Sequence, residues 1–285
     1  MPSREDAVRD ATRRLEAAGV PGARPEARRL LEALAGIGPA GLLSRPEAPL
    51  ETDAAVAFED AVARRARRVP LAYITGHQPF RGLDFRVGPA TLIPRPDSET
   101  VVAAALDHLP AAAGRVVDLG PGTGCLLLSV LAERPALWGA GVDRSPDALA
   151  VARANADTLG LTDRAAFACG DWADALADGA ADLVVCNPPY VADREWPDLM
   201  PEVRDHEPPG ALLAGPDGLD AHRHLAATLP RLLAPGGVAV LELGAGQAEA
   251  ARTLYGDQNL VVLECRRDLG DIERALVVAR RAGAW

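Results

Sequence analysis

Apolar residues recur along the chain with two different periods, and the change between them divides the sequence. Between Ser3, which is suited to an N-cap, and Gly19, apolar side chains recur every three or four residues, as on one face of a helix. The segments 25–36 and 50–68 repeat this pattern. We therefore predict a small helical domain over residues 1–70.

The next segment changes in character. Residues 70–102 are rich in β-branched and aromatic side chains and contain three evenly spaced glycines, which favours a β-hairpin. Asp97 or Ser98 is suited to capping the helix that follows. We expect a linking β-hairpin within residues 71–96.

From residue 115 onward, short apolar runs alternate with helical segments of about 10 to 15 residues. This alternation predicts a doubly wound, mostly parallel sheet over residues 97–285. The predicted strands are the runs RVVDLG, WGAGVD, AAFACG, ADLVVCN, GVAVLEL, NLVVLEC and ERALVVAR.

Composition narrows the class of protein. The chain has 285 residues, of which 48% are hydrophobic and 25% charged, as in a soluble globular protein. Its net charge of −10 argues against a protein that mainly grips phosphates of nucleic acids. No apolar run is long enough to span a bilayer, and the charged N-terminus is unlike a secretory signal, so we expect a cytoplasmic protein.

The cysteines and a cluster of arginines are interpreted as structural and not as parts of a functional site. The four cysteines form no CxxC pair and fall in or beside apolar runs, which indicates reduced, buried thiols. Four arginines near the end of the third predicted helix are interpreted as a solvated face, with a contact to a partner as the alternative. These arginines are Arg64, Arg65, Arg67 and Arg68.

The first predicted strand of the sheet leads into the glycine-rich loop "GPGTG". Gly120, Gly122 and Gly124 allow a ligand to approach the backbone closely, and the next helix adds the positive end of its dipole. The spacing is GxGxG, not the GxGxxG of dinucleotide-binding folds. A tight strand-to-helix turn without a ligand therefore remains an alternative for the loop by itself.

Two more strand ends carry polar groups that suit an adenosine. Asp143 ends the second strand, where a carboxylate can accept both hydroxyls of a ribose. Asp171 and Trp172 follow the third strand, where they could meet an adenine amine and ring face. Together with the glycine loop, they predict an adenosine-containing cofactor.

The fourth strand ends in "NPPY", residues 187–190. Prolines cannot continue a ladder, so the tetrapeptide could simply be a turn. Ligand sites of doubly wound sheets lie at the carboxyl ends of strands, however, which places this loop beside the glycine loop. The Asn187 amide oxygen and the loop carbonyls can accept hydrogen bonds, and Tyr190 offers a flat surface. The predicted ligand is a planar amide or exocyclic amine.

From about residue 10 to residue 280 the chain resembles the HemK/PrmC family, the protein-(glutamine-N5) methyltransferases that act on peptide chain release factors. The resemblance implies a class I methyltransferase fold, with a Rossmann-like, seven-stranded, mostly parallel sheet and an N-terminal helical domain that recognises the substrate. The motifs that carry it, in order, are RVPLAYITGHQPFRGLDFRV, LIPRPDSE, VVDLGPGTGC, GVDRSPDALAVARANA, GDW, CNPPYV, EVRDHEPPGALLAGPDGLD, LAPGGVAVLELGAGQ and CRRDLGDIER.

The resemblance also implies a cofactor, S-adenosyl-L-methionine, and no metal. The residues expected to contact this cofactor are Gly120, Pro121, Gly122, Thr123, Gly124, Asp143, Asp171, Trp172 and Asn187. Asp171 is included because it follows the third strand, and the resemblance implies the others. The expected cradle for the glutamine side chain is Asn187, Pro188, Pro189 and Tyr190, with Asn187, Pro188 and Tyr190 as catalytic residues. Pro121 departs from the family, which more often has threonine or cysteine there, and it removes one N–H from the loop.

The implied reaction is methyl transfer to the glutamine of the Gly-Gly-Gln motif in class I peptide chain release factors. We expect a monomer that binds neither nucleic acid directly nor membranes. NPPY also fits DNA and ribosomal RNA amine methyltransferases, although the acidic chain lacks a basic recognition domain. A small-molecule N-methyltransferase would not need the helical domain, and a non-catalytic nucleotide-binding module would leave NPPY unexplained.

The histidines have neither triad nor metal spacing and are interpreted as ordinary surface or core residues, namely His77, His108, His206, His222 and His224.

Overall fold

The structure, a computed structural model, describes residues 2–109 and 114–281. The helices are α1 Arg4–Ala17, α2 Ala23–Ala35, α3 Pro39–Ser44, α4 Thr52–Ala66, α5 Leu71–Thr75, α6 Glu99–His108, α7 Cys125–Glu133, α8 Pro146–Thr158, α9 Pro201–Arg204, α10 Asp220–Leu232 and α11 Ala248–Asp257. The strands are β1 His77–Phe80, β2 Leu83–Arg86, β3 Arg115–Leu119, β4 Trp138–Asp143, β5 Ala165–Cys169, β6 Ala181–Cys186, β7 Leu233–Glu242, β8 Leu260–Arg267 and β9 Glu273–Arg280. Within the described ranges, no helix is both long and apolar enough to cross a membrane.

The described residues form two compact units. The first contains the chain up to His77 together with the distant segment Met200–His206, and the second contains Gln78–Leu199 and the chain from Glu207 onward. In the first unit, α1, α2 and α4 bury their apolar faces in one core. These are the three helices that the helical spacing predicts, and Ser3 caps α1 by accepting a hydrogen bond from the Asp6 N–H at 3.1 Å.

A buried cluster of charges lies inside the first unit. The Arg65 guanidinium donates to Glu26 and to Glu202, the latter at 2.8 Å from Nη2 to Oε1. Arg68 donates to both oxygens of Glu202 at 2.7 Å each. Burial by itself would raise the pKa of Glu202, but the hydrogen bonds from Arg68 and Arg65 outweigh it and lower the pKa below its usual value.

The interpretation of this arginine group as a solvated face is wrong for Arg65. Its side chain is only 4% exposed, whereas Arg67 is exposed. Charge spacing along α4 could not reveal this, because Glu202 lies 137 residues away in the chain.

The second unit is built on a seven-stranded sheet in the order β5-β4-β3-β6-β7-β9-β8, which confirms the predicted doubly wound, mostly parallel fold. Strand β9 runs antiparallel to both of its neighbours. Alternate residues of the central strands pack into two cores on opposite faces: Val116 faces one core and Val117 the other. Because helices cover both faces, these strands are apolar throughout and do not alternate with polar residues.

The strand order reverses between β3 and β6, which pair in parallel. Asp118 is opposite Val185 in this register, so the chain continues from both strands at the same level. Such a reversal is where doubly wound sheets open a crevice for a ligand. It therefore brings the glycine loop and NPPY to one place.

Two smaller expectations have different outcomes. The hairpin forms from β1 and β2, with Arg81 and Gly82 at positive φ in its two-residue turn, as a tight hairpin requires. All four cysteines are free, but the interpretation as buried thiols is wrong for Cys169, which is exposed because β5 is an edge strand. Cys186 is buried, and Cys125 and Cys265 are half-buried.

The charge cluster leads to a prediction about stability. Removing one partner of a buried ion pair typically costs about 3–5 kcal/mol, because the remaining charge loses its compensation. We expect Arg65→Ala to lower the free energy of unfolding by about 3 kcal/mol, the lower end of that range, because Arg68 still neutralises Glu202. Urea unfolding followed by circular dichroism measures the change. The control is Arg67→Ala, at an exposed position of the same group, with an expected change within about 0.5 kcal/mol. Equal effects of the two substitutions would contradict the role of the cluster.

Candidate active site

A cavity of about 460 Å³ lies in the second unit at the carboxyl ends of β3, β4, β5 and β6. This volume is within the usual range for small-molecule sites. Most of the predicted site residues line it: Gly120, Pro121, Gly122, Thr123, Asp143, Asp171, Trp172, Asn187, Pro188 and Pro189. Gly124 and Tyr190 are predicted site residues that are not part of its lining.

The glycines of the loop have different structural roles. All three have positive φ, between +54° and +81°. A Cβ added at Gly122 would meet nothing within 4 Å, so this glycine leaves open space in the wall of the cavity. A Cβ at Gly124 would come within 3.0 Å of Leu128, so this glycine allows α7 to begin and does not face a ligand.

Asp143 is held in place by the backbone around it. Its Oδ2 accepts a hydrogen bond from the Gly122 N–H at 3.2 Å, and its Oδ1 accepts one from the Ser145 N–H at 2.9 Å. An ionised carboxylate has about four acceptor positions, so two remain for hydroxyl groups of a ligand. The open space at Gly122 and the acceptor capacity of Asp143 fit an adenosine-containing cofactor at this wall.

Trp172 has a neighbour that sequence analysis did not detect. Trp172 has a positive φ of 46°, an uncommon conformation for a large side chain, and its ring stacks on His224 with centroids 5.3 Å apart. His224 comes from α10 and lines the cavity, as does the exposed Asp171. The sequence contains no signal for this stacking, because the two rings lie 52 positions apart.

The NPPY loop is a tightly braced turn. The Tyr190 N–H donates to the Leu212 carbonyl at 3.1 Å, and the Tyr190 carbonyl accepts from Gln247 at 3.0 Å. A Cβ at Gly218 would lie 2.4 Å from that carbonyl, and one at Gly244 would lie 3.0 Å from the Tyr190 ring. The loop carbonyls are expected to accept hydrogen bonds, and the Tyr190 carbonyl accepts one from the Gln247 side chain, which braces the loop.

Asn187 is oriented by a side chain from another part of the unit. Its Nδ2 donates to Ser98 Oγ at 3.2 Å, while Ser98 itself is buried and lines the cavity. Ser98 precedes α6 but makes no capping hydrogen bond to it, contrary to one of the two capping alternatives. The Ser98 hydroxyl instead accepts the hydrogen bond from Asn187.

Two buried acids at strand ends also escaped sequence analysis. Burial raises the pKa of Asp118, near the end of β3, to about 8, and that of Glu242, the last residue of β7, to about 7. Among the described residues, one oxygen of each carboxyl has no hydrogen-bond partner. An acid at the end of an apolar strand was the signal used for Asp143, and it could have identified both.

Comparisons with known proteins agree with this architecture. The PrmC N-terminal domain family matches residues 6–76, and the methyltransferase small domain family matches residues 98–202. A release factor glutamine methyltransferase of Rhodospirillum rubrum is 45% identical over 94% of this chain and 82% of its own length. One of Cereibacter sphaeroides is 45% identical over 98% of this chain and 99% of its own length.

A solved structure supports the fold. It is the hMettl16 catalytic domain in complex with the MAT2A 3′UTR hairpin 6, with 17% identity, a TM-score of 0.53, and coverage of 78% of this chain and 82% of that one. The sheet order, the glycine loop and these matches define the class: an S-adenosylmethionine-dependent methyltransferase. Within that class, the chain belongs to the release factor glutamine methyltransferase family.

The position of Asp143 leads to a prediction about cofactor affinity. If its carboxylate holds the ribose, Asp143→Ala loses charge-assisted hydrogen bonds, each worth about 1.5–3 kcal/mol, or about 10- to 150-fold in Kd. Isothermal titration with S-adenosylmethionine measures this effect. Asp147→Ala is the matched control, because Asp147 is an exposed acid at the start of α8 and does not line the cavity. Equal affinities for Asp143→Ala and the control would remove Asp143 from the cofactor site.

Proposed function

We propose that this protein transfers a methyl group from S-adenosylmethionine to the side-chain amide nitrogen of the glutamine in the Gly-Gly-Gln motif of peptide chain release factors. The observation that carries the proposal is the orientation of Asn187. Because its Nδ2 is bound to Ser98, its Oδ1 is the atom left to accept a hydrogen bond from a ligand in the cavity. An acceptor is what a primary amide, with two N–H donors, requires. The names of the relatives support the same substrate.

The loop residues suit the chemical difficulty of the reaction. An amide nitrogen is a weak nucleophile because its lone pair is delocalised into the carbonyl group. When bound, S-adenosylmethionine supplies an electrophilic methyl group on a positively charged sulfur. We assign Asn187 Oδ1 and the Pro188 carbonyl to accept the two N–H bonds, which orients the nitrogen and stabilises the positive charge that develops on it.

The remaining NPPY residues support these acceptors. Pro188 is buried and Pro189 lines the cavity, so the backbone between β6 and Tyr190 has little freedom. Tyr190 was expected to stack on the substrate amide. Its ring packs near Gly244, and burial raises its pKa to about 12. We therefore assign Tyr190 to bracing the loop, with its phenol neutral, in addition to any contact with the substrate.

An exocyclic amine of a nucleic acid is the second candidate acceptor, because it also offers a planar NH₂ group to Asn187. The net charge of −10 speaks against it, since binding to phosphates favours basic surfaces. The likeness to the hMettl16 catalytic domain concerns the fold and carries no weight for the substrate. Labelled cofactor offered with a release factor, DNA or ribosomal RNA separates these candidates.

We further propose that the first unit, which holds residues 1–70, recognises the body of the protein substrate. Support comes from its match to the PrmC N-terminal domain family and from its lack of a glycine loop. We expect the intact release factor to be methylated with a kcat/KM at least about 100-fold above that of a short Gly-Gly-Gln peptide, a gap of about 3 kcal/mol in binding. Steady-state assays of both substrates test this. Similar values would show that surfaces outside the Gly-Gly-Gln loop contribute nothing.

Asn187 allows the central test of the function. Its oxygen matters most as the amide nitrogen becomes electron-poor, so Asn187→Ala should slow the chemical step far more than it weakens cofactor binding. Losing one such preorganised group costs about 10²–10³ in rate. Single-turnover methylation of a release factor at saturating cofactor measures the rate, and calorimetry measures cofactor affinity.

Two further variants sharpen this test. Asn187→Asp keeps an acceptor but adds a negative charge near the sulfonium, so it should tighten cofactor binding while still slowing transfer. Asn259→Gly changes an exposed asparagine that does not line the cavity, at a φ of 58° that glycine accepts, and should leave the rate unchanged. If Asn187→Ala keeps more than about a tenth of the wild-type rate, the NPPY loop is only a structural turn.

A further inference from the structure

The NPPY loop is held by a side chain that does not itself line the cavity. Gln247 is half-buried and stands at the start of α11, where a polar side chain often accepts a hydrogen bond from the first turn of the helix. The Gln247 side chain makes no such bond to α11. It reaches three other segments of the second unit instead.

The Gln247 amide uses both of its polar atoms. Its Oε1 accepts a hydrogen bond from the Gly244 N–H at 3.0 Å. Its Nε2 donates to the Tyr190 carbonyl and to the Gly218 carbonyl, each at 3.0 Å. Because an N–H can only donate and a carbonyl can only accept, these partners allow a single orientation of the amide. The reverse orientation would lose all three hydrogen bonds.

Two glycines make room for these contacts. A Cβ at Gly244 would lie 2.8 Å from Gln247 Oε1, and a Cβ at Gly218 would lie 2.4 Å from the Tyr190 carbonyl oxygen. Any side chain at either position would collide with the amide or with its partner. The backbone around Gln247 is therefore packed closely against its amide.

The Tyr190 carbonyl is the point at which Gln247 acts on the NPPY loop. The Tyr190 N–H and the Val191 N–H both donate to the Leu212 carbonyl, at 3.1 and 2.8 Å. In a trans peptide, the Tyr190 carbonyl points away from the Val191 N–H. Gln247 therefore supplies the hydrogen bond on the side of this peptide that Leu212 does not reach.

The other end of this contact is anchored by packing. Helices α10 and α11 bury apolar residues in the same core of the second unit. Gly218 lies two residues before α10, the helix that carries His224 into the cavity lining. Because packing holds both helices, losing the Gln247 amide would release the loop and leave the helices in place. The amide thus ties the NPPY loop to the side of the cavity assigned to the cofactor.

We propose, on the basis of the proposed function, that Gln247 is a positioning residue that fixes the NPPY loop relative to the cofactor side of the cavity. By holding the Tyr190 carbonyl, it sets the direction in which the preceding loop residues present their acceptors. These acceptors are the Asn187 oxygen and the Pro188 carbonyl, which we assign to the glutamine amide. Gln247 does not contact the reacting atoms.

A substitution of nearly the same shape provides the first test. Gln247→Glu keeps an acceptor for the Gly244 N–H but replaces the donor NH₂ by an oxygen that faces two carbonyl oxygens. We expect single-turnover methylation of a release factor at saturating cofactor to slow about 10- to 100-fold, as for a reacting group held about 1 Å out of place. The affinity for S-adenosylmethionine, measured by calorimetry, should stay within about twofold of wild type, because the Asp143 wall is intact.

Two outcomes of this test would overturn the proposal. One is a wild-type rate in Gln247→Glu. The other is a loss of cofactor affinity as large as the loss of rate, because a general structural defect weakens both.

Two more variants control for charge and for packing. Gln258→Glu makes the same chemical change at the exposed C-cap of α11, outside the cavity lining, and should match the wild type. Gln247→Met keeps an unbranched side chain of similar length without a charge and should slow methylation about 10-fold. It carries the test if the charge of Gln247→Glu prevents folding. A wild-type rate in Gln247→Met would overturn the proposal, because the charge would then explain the effect of Gln247→Glu.

A double-mutant cycle tests whether Gln247 acts through the NPPY loop. In the Asn187→Ala background, Gln247→Met should cost at most about threefold, because the main acceptor that it positions is gone. The full additional loss in the double variant would overturn the proposal.

The Asn187 side chain gives a readout that needs no methyl transfer. Its NH₂ signal in NMR spectra is assigned by its disappearance in Asn187→Ala. Without any substrate, this signal should shift in Gln247→Met and keep its wild-type position in Gln258→Glu. An unshifted signal in Gln247→Met would overturn this inference alone, even if the wild type methylates release factors. A shifted signal in a protein whose wild type fails to methylate release factors would overturn the proposed function, and the hold of Gln247 on the loop would stand.

Discussion

The parallel pairing of β3 with β6 is the constraint on which the site depends. It is the point where the strand order reverses, and its register sets Asp118 opposite Val185. Two residues further along each strand, the chain reaches Gly120 and Asn187, the first residues of the two loops that line the cavity. A slip of one residue would turn the alternating side chains of β6 to the opposite core. The two apolar cores that fix this register therefore also fix the distance between the glycine loop and the NPPY loop.

Periodicity and strand-end chemistry predict the sheet and its main helices, and most of the site residues that they predict line the cavity. They succeed because the carboxyl ends of parallel strands converge whatever the details of packing. They fail where a side chain is defined by a partner that is distant in sequence. Arg65 is predicted to be solvated, but its guanidinium donates a hydrogen bond to Glu202. Ser98 is predicted as a possible helix cap, but its hydroxyl accepts a hydrogen bond from Asn187. The stacking of His224 on Trp172 belongs to the same category.

The strand ends near the cavity carry acids in different surroundings. Asp143 lines the cavity, and its two carboxylate oxygens accept hydrogen bonds from two backbone N–H groups. Asp118 is fully buried, and its raised pKa of about 8 keeps it protonated at neutral pH. Burial also raises the pKa of Glu242, to about 7, and Arg274 and Arg95 offset part of this effect. Neither Asp118 nor Glu242 lines the cavity, so burial governs the charge of two acids that lie outside its lining.

The path of the chain has a consequence for how this protein can evolve. The chain passes from one unit to the other after His77, after Leu199 and after His206, so the first unit is encoded by two separate stretches of sequence. The second stretch supplies Glu202, which binds arginines of the first. A recombination event that replaced only the residues up to His77 would replace Arg65 and Arg68 but keep Glu202. The glutamate would then face different side chains in place of its two arginines. The first unit therefore cannot be exchanged as one continuous segment of sequence. When it diversifies, the stretch up to His77 and the stretch Met200–His206 must change together.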